Sequence, residues 1–142
     1  MSNYAKGQQF AEQVSKYLAE HGHIVSPEYG VNVGLNSART KLHHFDFGNK
    51  SLIVECKRYQ WTSGGYIPSA KIATLNEAMM YFHAASSNFR KMVFIAKTDK
   101  KGVRNPETFA EYYVRLHGHF IPDDVEFLEF DSKTRSARRI DP

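Results

Sequence analysis

The chain has 142 residues, 42% of them hydrophobic, one cysteine and a formal charge of +4. Its length fits one compact domain spanning residues 1–142, with enough apolar side chains for a real core. No run approaches the roughly 18 apolar residues that cross a bilayer, residues 1–6 lack the apolar stretch of a secretory leader, and Cys56 alone excludes an internal disulfide. A cytoplasmic protein with no membrane partner is the expectation.

The charge is unevenly spread. Residues 132–142 hold Lys133, Arg135, Arg138 and Arg139 against Asp141, a net +3 of the +4, and read as a basic C-terminal tail. Lys97, Lys100, Lys101 and Arg104 form a second group near an expected loop. Either group can meet phosphate oxygens. From charge alone, a solvated surface is the better account.

No internal repeat, low-complexity block or linker divides the chain. Residues 8–21 predict an amphipathic helix, with Phe10, Val14, Tyr17 and Leu18 on one stripe and Gly22 placed to end it. Residues 28–35 alternate partly, with Tyr29, Val31, Val33 and Leu35 on one side, and predict a strand. Residues 42–47 predict a second strand. Gly48-Asn49-Lys50 supplies turn chemistry before a third at 51–59, and so short a turn implies antiparallel pairing. Residues 61–68 contain Gly64-Gly65 and predict a loop. Ser69 is the expected N-cap of a helix whose stripe is Ile72, Leu75, Met79 and Phe82. Residues 91–96 read as a buried strand, 106–116 as a helix, and 125–130 as a last strand at an edge of the sheet. Such an order is α/β, a meander followed by a crossover helix that returns a strand to the same sheet.

The third strand carries the chemistry. Leu52, Ile53 and Val54 are apolar on both faces, as in a central strand covered on both sides. Glu55 and Lys57 then share one face, roughly 7 Å apart along the chain, while Cys56 points to the other. Desolvating an acid and an ammonium is expensive unless they are paired or bind something. Asp46, on the preceding strand, comes near Glu55 if the two strands pair. Two adjacent carboxylates suit a hard divalent cation, since Mg²⁺ prefers oxygen ligands, and Lys57 beside them suits phosphodiester hydrolysis. A surface Glu–Lys pair at a strand end is the plain alternative.

Asp46 followed by Glu55-Cys56-Lys57, in a helix–strand–strand–strand–helix–strand frame, resembles the PD-(D/E)xK nuclease superfamily, over residues 8–97. The resemblance implies a restriction-endonuclease-like three-layer α/β/α fold with a mixed central sheet and an αβββαβ core. It implies that Asp46 and Glu55 bind Mg²⁺, with Mn²⁺ a possible substitute, that the Cys56 carbonyl is a further ligand, and that Lys57 assists the attacking water. Gln60, Gly64-Gly65 and Lys71 loosely match the Gln, glycine loop and helix-borne Lys that follow the motif in some members. The chain departs from the pattern with Phe45, not Pro, before Asp46. The acid that many members carry on the first helix has Glu12 as its candidate here, but the helical wheel sets Glu12 about 200° from Phe10, on the solvent side. Glu28, at the head of the first strand, is an equally open substitute.

Arg58, Gln60, Trp61 and Tyr66 lie beside the site, where they can grip a backbone or stack on a base; Trp61 and Tyr66 can equally pack the loop onto the sheet. Lys71, off the apolar stripe of its helix, suits a phosphate contact. The pairs His21/His23, His43/His44 and His117/His119 lack a third ligand at zinc spacing and read as ordinary histidines. His44 has the most weight, because on a regular strand it shares a face with Asp46. Cys56 reads as a core residue rather than a nucleophile.

The expectation is thus a Mg²⁺-dependent endodeoxyribonuclease, of restriction or junction and repair type, acting on DNA as a homodimer and without a small-molecule cofactor. The alternative is a non-catalytic nucleic-acid-binding or regulatory module on the same scaffold.

Overall fold

A computed structural model describes residues 1–59, 61, 66, 68–98 and 106–141. Its elements are α1 (Asn3–Glu20), β1 (Ser26–Asn36), β2 (Arg39–Gly48), β3 (Leu52–Lys57), α2 (Ser69–Ala84), β4 (Arg90–Ala96), α3 (Phe109–His117), a 3-10 turn (Gly118–Phe120), β5 (Val125–Asp131) and β6 (Ser136–Arg139). The strands form one mixed sheet of six, in the spatial order β1-β2-β3-β4-β5-β6. β1, β2 and β3 are antiparallel, β3, β4 and β5 parallel, and β6 antiparallel to β5. The parallel pairs follow from the helices, since α2 and α3 each carry the chain back to the starting end of the sheet.

α1 begins earlier than its apolar stripe, because the Ser2 hydroxyl accepts a hydrogen bond from the Ala5 amide and so caps the first turn. It ends where the stripe predicts. Gly22 adopts φ 85°, and the amides of Gly22 and His23 donate to the carbonyls of Ala19 and Leu18, the paired bonds of a Schellman motif. Phe10, Val14 and Leu18 pack on one face of the sheet against Leu52, Val54, Met92, Phe94 and Phe130. Each such side chain contributes about 1.5–3 kcal/mol on burial.

α2 and α3 cover the opposite face, where Leu75, Met79, Phe82, Phe109 and Tyr113 meet Ile53, Val93, Ile95 and Phe127. β3 and β4 are therefore covered on both sides, as the apolar run 52–54 predicts. The expected cap of α2 is displaced by one residue. Pro68 holds the cap position, its carbonyl accepting from Lys71 and Ile72, and the Ser69 side chain makes no capping bond. α3 is closed by a capping box between Thr108 and Glu111.

The C-terminal end also differs from its sequence reading. Residues 136–139 are not a tail but the strand β6, so β5 is an interior strand and not an edge. The turn before it is held by Asp131, which accepts from the Lys133 amide, and by Arg135 at φ 54°. Arg138 then reaches Glu129 at 2.8 Å and Glu111 at 3.3 Å. Cations mask the strand in the sequence, and the charge of Arg138 is answered by acids on neighbouring elements. Among the described residues, no helix is long and apolar enough to cross a membrane.

The β2–β3 turn is built by Asn49, whose side-chain oxygen accepts from the Ser51 and Leu52 amides at 2.8 and 2.9 Å. Gly48, just before it, lies beneath the Tyr29 side chain; a Cβ there would stand 2.6 Å from the ring. Gly48→Ala is therefore expected to destabilise the fold by about 1–3 kcal/mol. Urea unfolding checks this, and an unchanged midpoint would remove the steric argument.

Candidate functional site

The site begins where the β2–β3 ladder changes character. Phe47 pairs with Val54 and Gly48 with Ile53, and the next step of that register sets Asp46 opposite Glu55. Here side chains replace the regular main-chain ladder. The Asp46 amide donates to Glu55 Oε1 at 3.3 Å, and the Cys56 amide donates to Asp46 Oδ2 at 2.8 Å. Each carboxylate thus holds the other's strand.

Strand alternation is interrupted at the same point. Phe45 packs with Phe82 on the α2 face, ring centroids 5.4 Å apart, whereas Phe47 packs on the α1 face. In β1, Glu28 falls at the register position opposite Asp46 and has φ 51°, a left-handed conformation uncommon for a residue with a side chain. The interruption corrects the choice between the two histidines. His43, not His44, faces the site, with Nε2 3.9 Å from Glu55 Oε1. Its ring stacks on Tyr81 at 3.7 Å and meets Phe45 edge-on. His44 is exposed and lies over Gly30.

Glu55 is 6% exposed. Burial first, and then the negative charge of Asp46, push its carboxyl up to about 8; Lys57 and the Asp46 amide work in the other direction. Lys57 Nζ lies 3.4 Å from Glu55 Oε2. Burial disfavours its ammonium, but the charges of Glu55, Tyr59 and Asp46 outweigh that and lift its pKa above an ordinary lysine's. Lys57 is therefore a persistent cation and a poor base at neutral pH. His43 is shifted down, by burial and then by the nearby Lys41, His44 and Lys57 charges, which favours its neutral form.

The resemblance-derived metal ligands meet in part. Asp46 and Glu55 come together, and their donor set of two carboxylates suits a hard divalent ion. Oδ1 of Asp46 is not engaged by any described residue. The Cys56 side chain packs toward the α1 face, and burial raises its thiol pKa well above the usual value, so a metal contact from this residue falls to its carbonyl. Among the described residues, no group of three or more His, Cys, Asp and Glu side chains is placed to hold a metal.

The expected nucleic-acid contacts converge. Arg58 and Lys71 line one cleft of about 500 Å³ with Lys57, Cys56 and Tyr59, closed on the other side by Asn3, Tyr4 and Gly7 of α1. Lys71 Nζ stands 5.5 Å over the Tyr59 ring. Gln60 and Gly64-Gly65 lie outside the described residues, as do Lys100, Lys101 and Arg104 of the second basic group. Trp61 is a packing residue, 8% exposed against Phe109 and Tyr112, while Tyr66 is 67% exposed. Glu12 is exposed and lines a separate cleft with Lys16 and Arg135.

Two participants escaped the sequence reading. Tyr59 continues the Glu55–Lys57 spacing by two and was legible from that alone. His43 depends on the broken alternation at Asp46, which no periodicity reveals. Comparison with protein-family models, with characterised proteins and with solved structures finds no match to this chain.

The Glu55 shift has a consequence for stability. Its folded pKa of about 8 lies above the model-peptide value of 4.5, so its contribution is fully present below the unfolded pKa and is lost as pH rises through 8. Relative to Glu55→Gln, the wild type is expected to lose on the order of 4 kcal/mol between pH 5 and 9 in the absence of divalent ions. Parallel pH profiles of the two proteins in urea would show that Glu55 is not the titrating group.

Proposed function

We propose that the chain is a metal-dependent endodeoxyribonuclease of the PD-(D/E)xK kind, its six-stranded sheet and flanking helices being a restriction-endonuclease-like α/β/α fold. The observation that carries this reading is the doubly covered strand β3. It delivers Glu55 and Lys57 to one side at its end, with Asp46 bonded to the same strand. Structural ion pairs rarely place a second carboxylate against the first. Two carboxylates side by side suit a hard cation held between phosphate and protein.

In this reading Asp46 and Glu55 hold Mg²⁺, or Mn²⁺ in its place, with the Cys56 carbonyl as a further ligand. When bound, the ion polarises the phosphodiester and lowers the pKa of its water. Glu55 gives up its proton on loading, because the carboxyl is held up by burial and by Asp46. Lys57 stays charged, so it orients the nucleophile and offsets negative charge growing on the phosphoryl oxygens rather than removing a proton. Arg58 and Lys71, with Gln60 beside them, take the flanking phosphates. A chain this small cuts both strands most simply as a homodimer. A cytoplasmic location, with DNA as partner, completes the proposal.

A non-catalytic nucleic-acid-binding module on the same fold is the second reading. The absence of a third acidic or histidine ligand among the described residues favours it.

Metal binding separates the two. Mn²⁺ or Ca²⁺ is expected to raise the melting temperature of the wild type but not of Asp46→Ala, and the gain should grow as pH rises toward 8. A gain that survives Asp46→Ala would place the metal elsewhere.

Cleavage is tested with supercoiled, linear and four-way-junction DNA, with RNA alongside, in Mg²⁺ or EDTA. The wild type should cut at least one DNA in Mg²⁺ alone, and Lys57→Ala should cut at least about 100-fold more slowly. Equal metal-dependent rates for the two proteins would end the role of Lys57. No cutting of any DNA by the wild type would end the nuclease reading.

A further inference from the structure

The cleft beside the carboxylate pair is walled on one side by the first turns of α1, and the helix changes character there. The inward stripe of α1 is Leu18, Val14 and Phe10, all buried against the sheet. Carried toward the N-terminus at the same helical spacing, that stripe reaches Gly7 and Asn3, which line the cleft together with Tyr4. Apolar side chains stop where the helix meets the cleft, and a glycine and a side-chain amide follow.

The protein's own packing does not explain Gly7. A glycine inside a helix is destabilising relative to alanine. This one sits within α1 without a positive φ, and a Cβ there would meet nothing within 4 Å. What a glycine does provide at such a wall is close approach of a ligand to the helix backbone.

The other wall sets the charge of that ligand. Lys57, Arg58 and Lys71 line the cleft, and its described lining contains no carboxylate. Tyr4, on the α1 side, is 77% exposed. An open aromatic face beside several cations is the combination that holds a base and its phosphate. The volume, about 500 Å³, is that of a small-ligand site. Inside a duplex each base face is covered by its neighbours, so an unpaired nucleotide is the one that can offer a face to Tyr4.

We propose that this cleft is a subsite for one unpaired nucleotide of a DNA strand, its base stacked on Tyr4 and its phosphate held by Arg58 and Lys71. The strand then passes Lys57 toward Asp46 and Glu55. The inference rests on the nuclease reading and adds to it the form of the substrate, DNA that is unpaired on one side of the scissile phosphate. Continuity argues for the path, since Lys57 lines the cleft and also lies 3.4 Å from Glu55. Cations meet the phosphates of any strand, so the preference for unpaired DNA resides in Tyr4 and Gly7.

Binding in EDTA tests the subsite, with a labelled oligothymidylate of about twelve nucleotides carrying one 2-aminopurine and with a blunt duplex of the same length. Anisotropy reads affinity, and quenching of the 2-aminopurine reads stacking. Tyr4→Ala is expected to weaken single-strand binding at least about fivefold and to abolish the protein-dependent quenching, whereas Tyr4→Phe, which keeps the ring, retains both. Gly7→Leu, which fills the cleft, is expected to weaken single-strand binding by at least as much while melting no lower than the wild type, because leucine is the better helix former. The wild type should bind the duplex more weakly than the single strand, and these variants should leave duplex binding unchanged.

The subsite is overturned if Tyr4→Ala or Gly7→Leu binds the single strand as the wild type does, if quenching survives Tyr4→Ala, or if the duplex binds as tightly as the single strand. Thymidine monophosphate binding as tightly as the oligonucleotide also overturns it, in favour of a free nucleotide. Cleavage in Mg²⁺ is scored separately. Cleavage by the wild type, with normal single-strand binding by the Tyr4 and Gly7 variants, ends the subsite alone. Binding and stacking as expected without cleavage of any DNA end the nuclease and keep the subsite, and absence of both ends both.

Discussion

Two carboxylates face each other inside the β2–β3 pairing, and the surrounding structure is arranged around what that demands. A buried carboxylate without donors costs several kcal/mol. Asp46 and Glu55 each gain a main-chain N–H, and Glu55 also has the Lys57 ammonium 3.4 Å away. The bonds that would have continued the ladder are thereby turned into bonds to the site. Burial, and then the mutual repulsion of the carboxylates, appear as the raised Glu55 pKa.

The geometry spreads outward from that exchange. With the alternation broken at Asp46, Phe45 and His43 turn under α2, and Tyr81 covers the imidazole. β1 follows the same break through Glu28. Strain of about 1–2 kcal/mol at such a residue persists only where its neighbours over-determine it. Beyond the break, the ribbon is no longer bound by β3 and its outer face is left open. One local substitution of side chain for main chain therefore accounts for the site, the histidine beside it and the departure of the hairpin from the sheet.

The sequence conveys the parts governed by periodicity. The stripes of α1 and α2, the double coverage of β3, the turn at Asn49 and the parallel crossover to β4 all follow from apolar spacing and turn chemistry, and the structure has them. Ends and edges were less legible. Ser2 extends α1 through a single side-chain bond, and β6 hides among cations because Arg138 is neutralised by residues far from it in sequence. In the candidate site, the shared side of Glu55 and Lys57 was readable because neighbours two apart on a strand share a face, and the approach of Asp46 from the expected antiparallel hairpin. His43 was not, since its orientation depends on an interruption set by contacts between strands.

Buried charge by itself would not have singled out this site. Lys91 is 2% exposed, yet its ammonium is held by the Ala85 carbonyl at 3.1 Å and Asp124 at 2.7 Å, a closed arrangement that asks for no ligand. Glu129 is also 2% exposed, and Arg138 meets it with two donors at 2.8 Å. In both cases the buried charge has an opposite charge within hydrogen-bond distance, although Arg138 is shared with Glu111. Around Glu55 a second acid, Asp46, is bonded into the same strand pairing, and burial followed by that charge raises the Glu55 pKa to about 8. The histidine at their side is biased toward its neutral form, and the neighbouring cleft is lined by Lys57, Arg58 and Lys71. In the proposed reading, a divalent ion carrying a phosphate would meet both the acids and the cations of the cleft. Two acids bonded into one strand pairing beside a cationic cleft, rather than burial or motif alone, distinguish this end of β3 from Lys91 and Glu129.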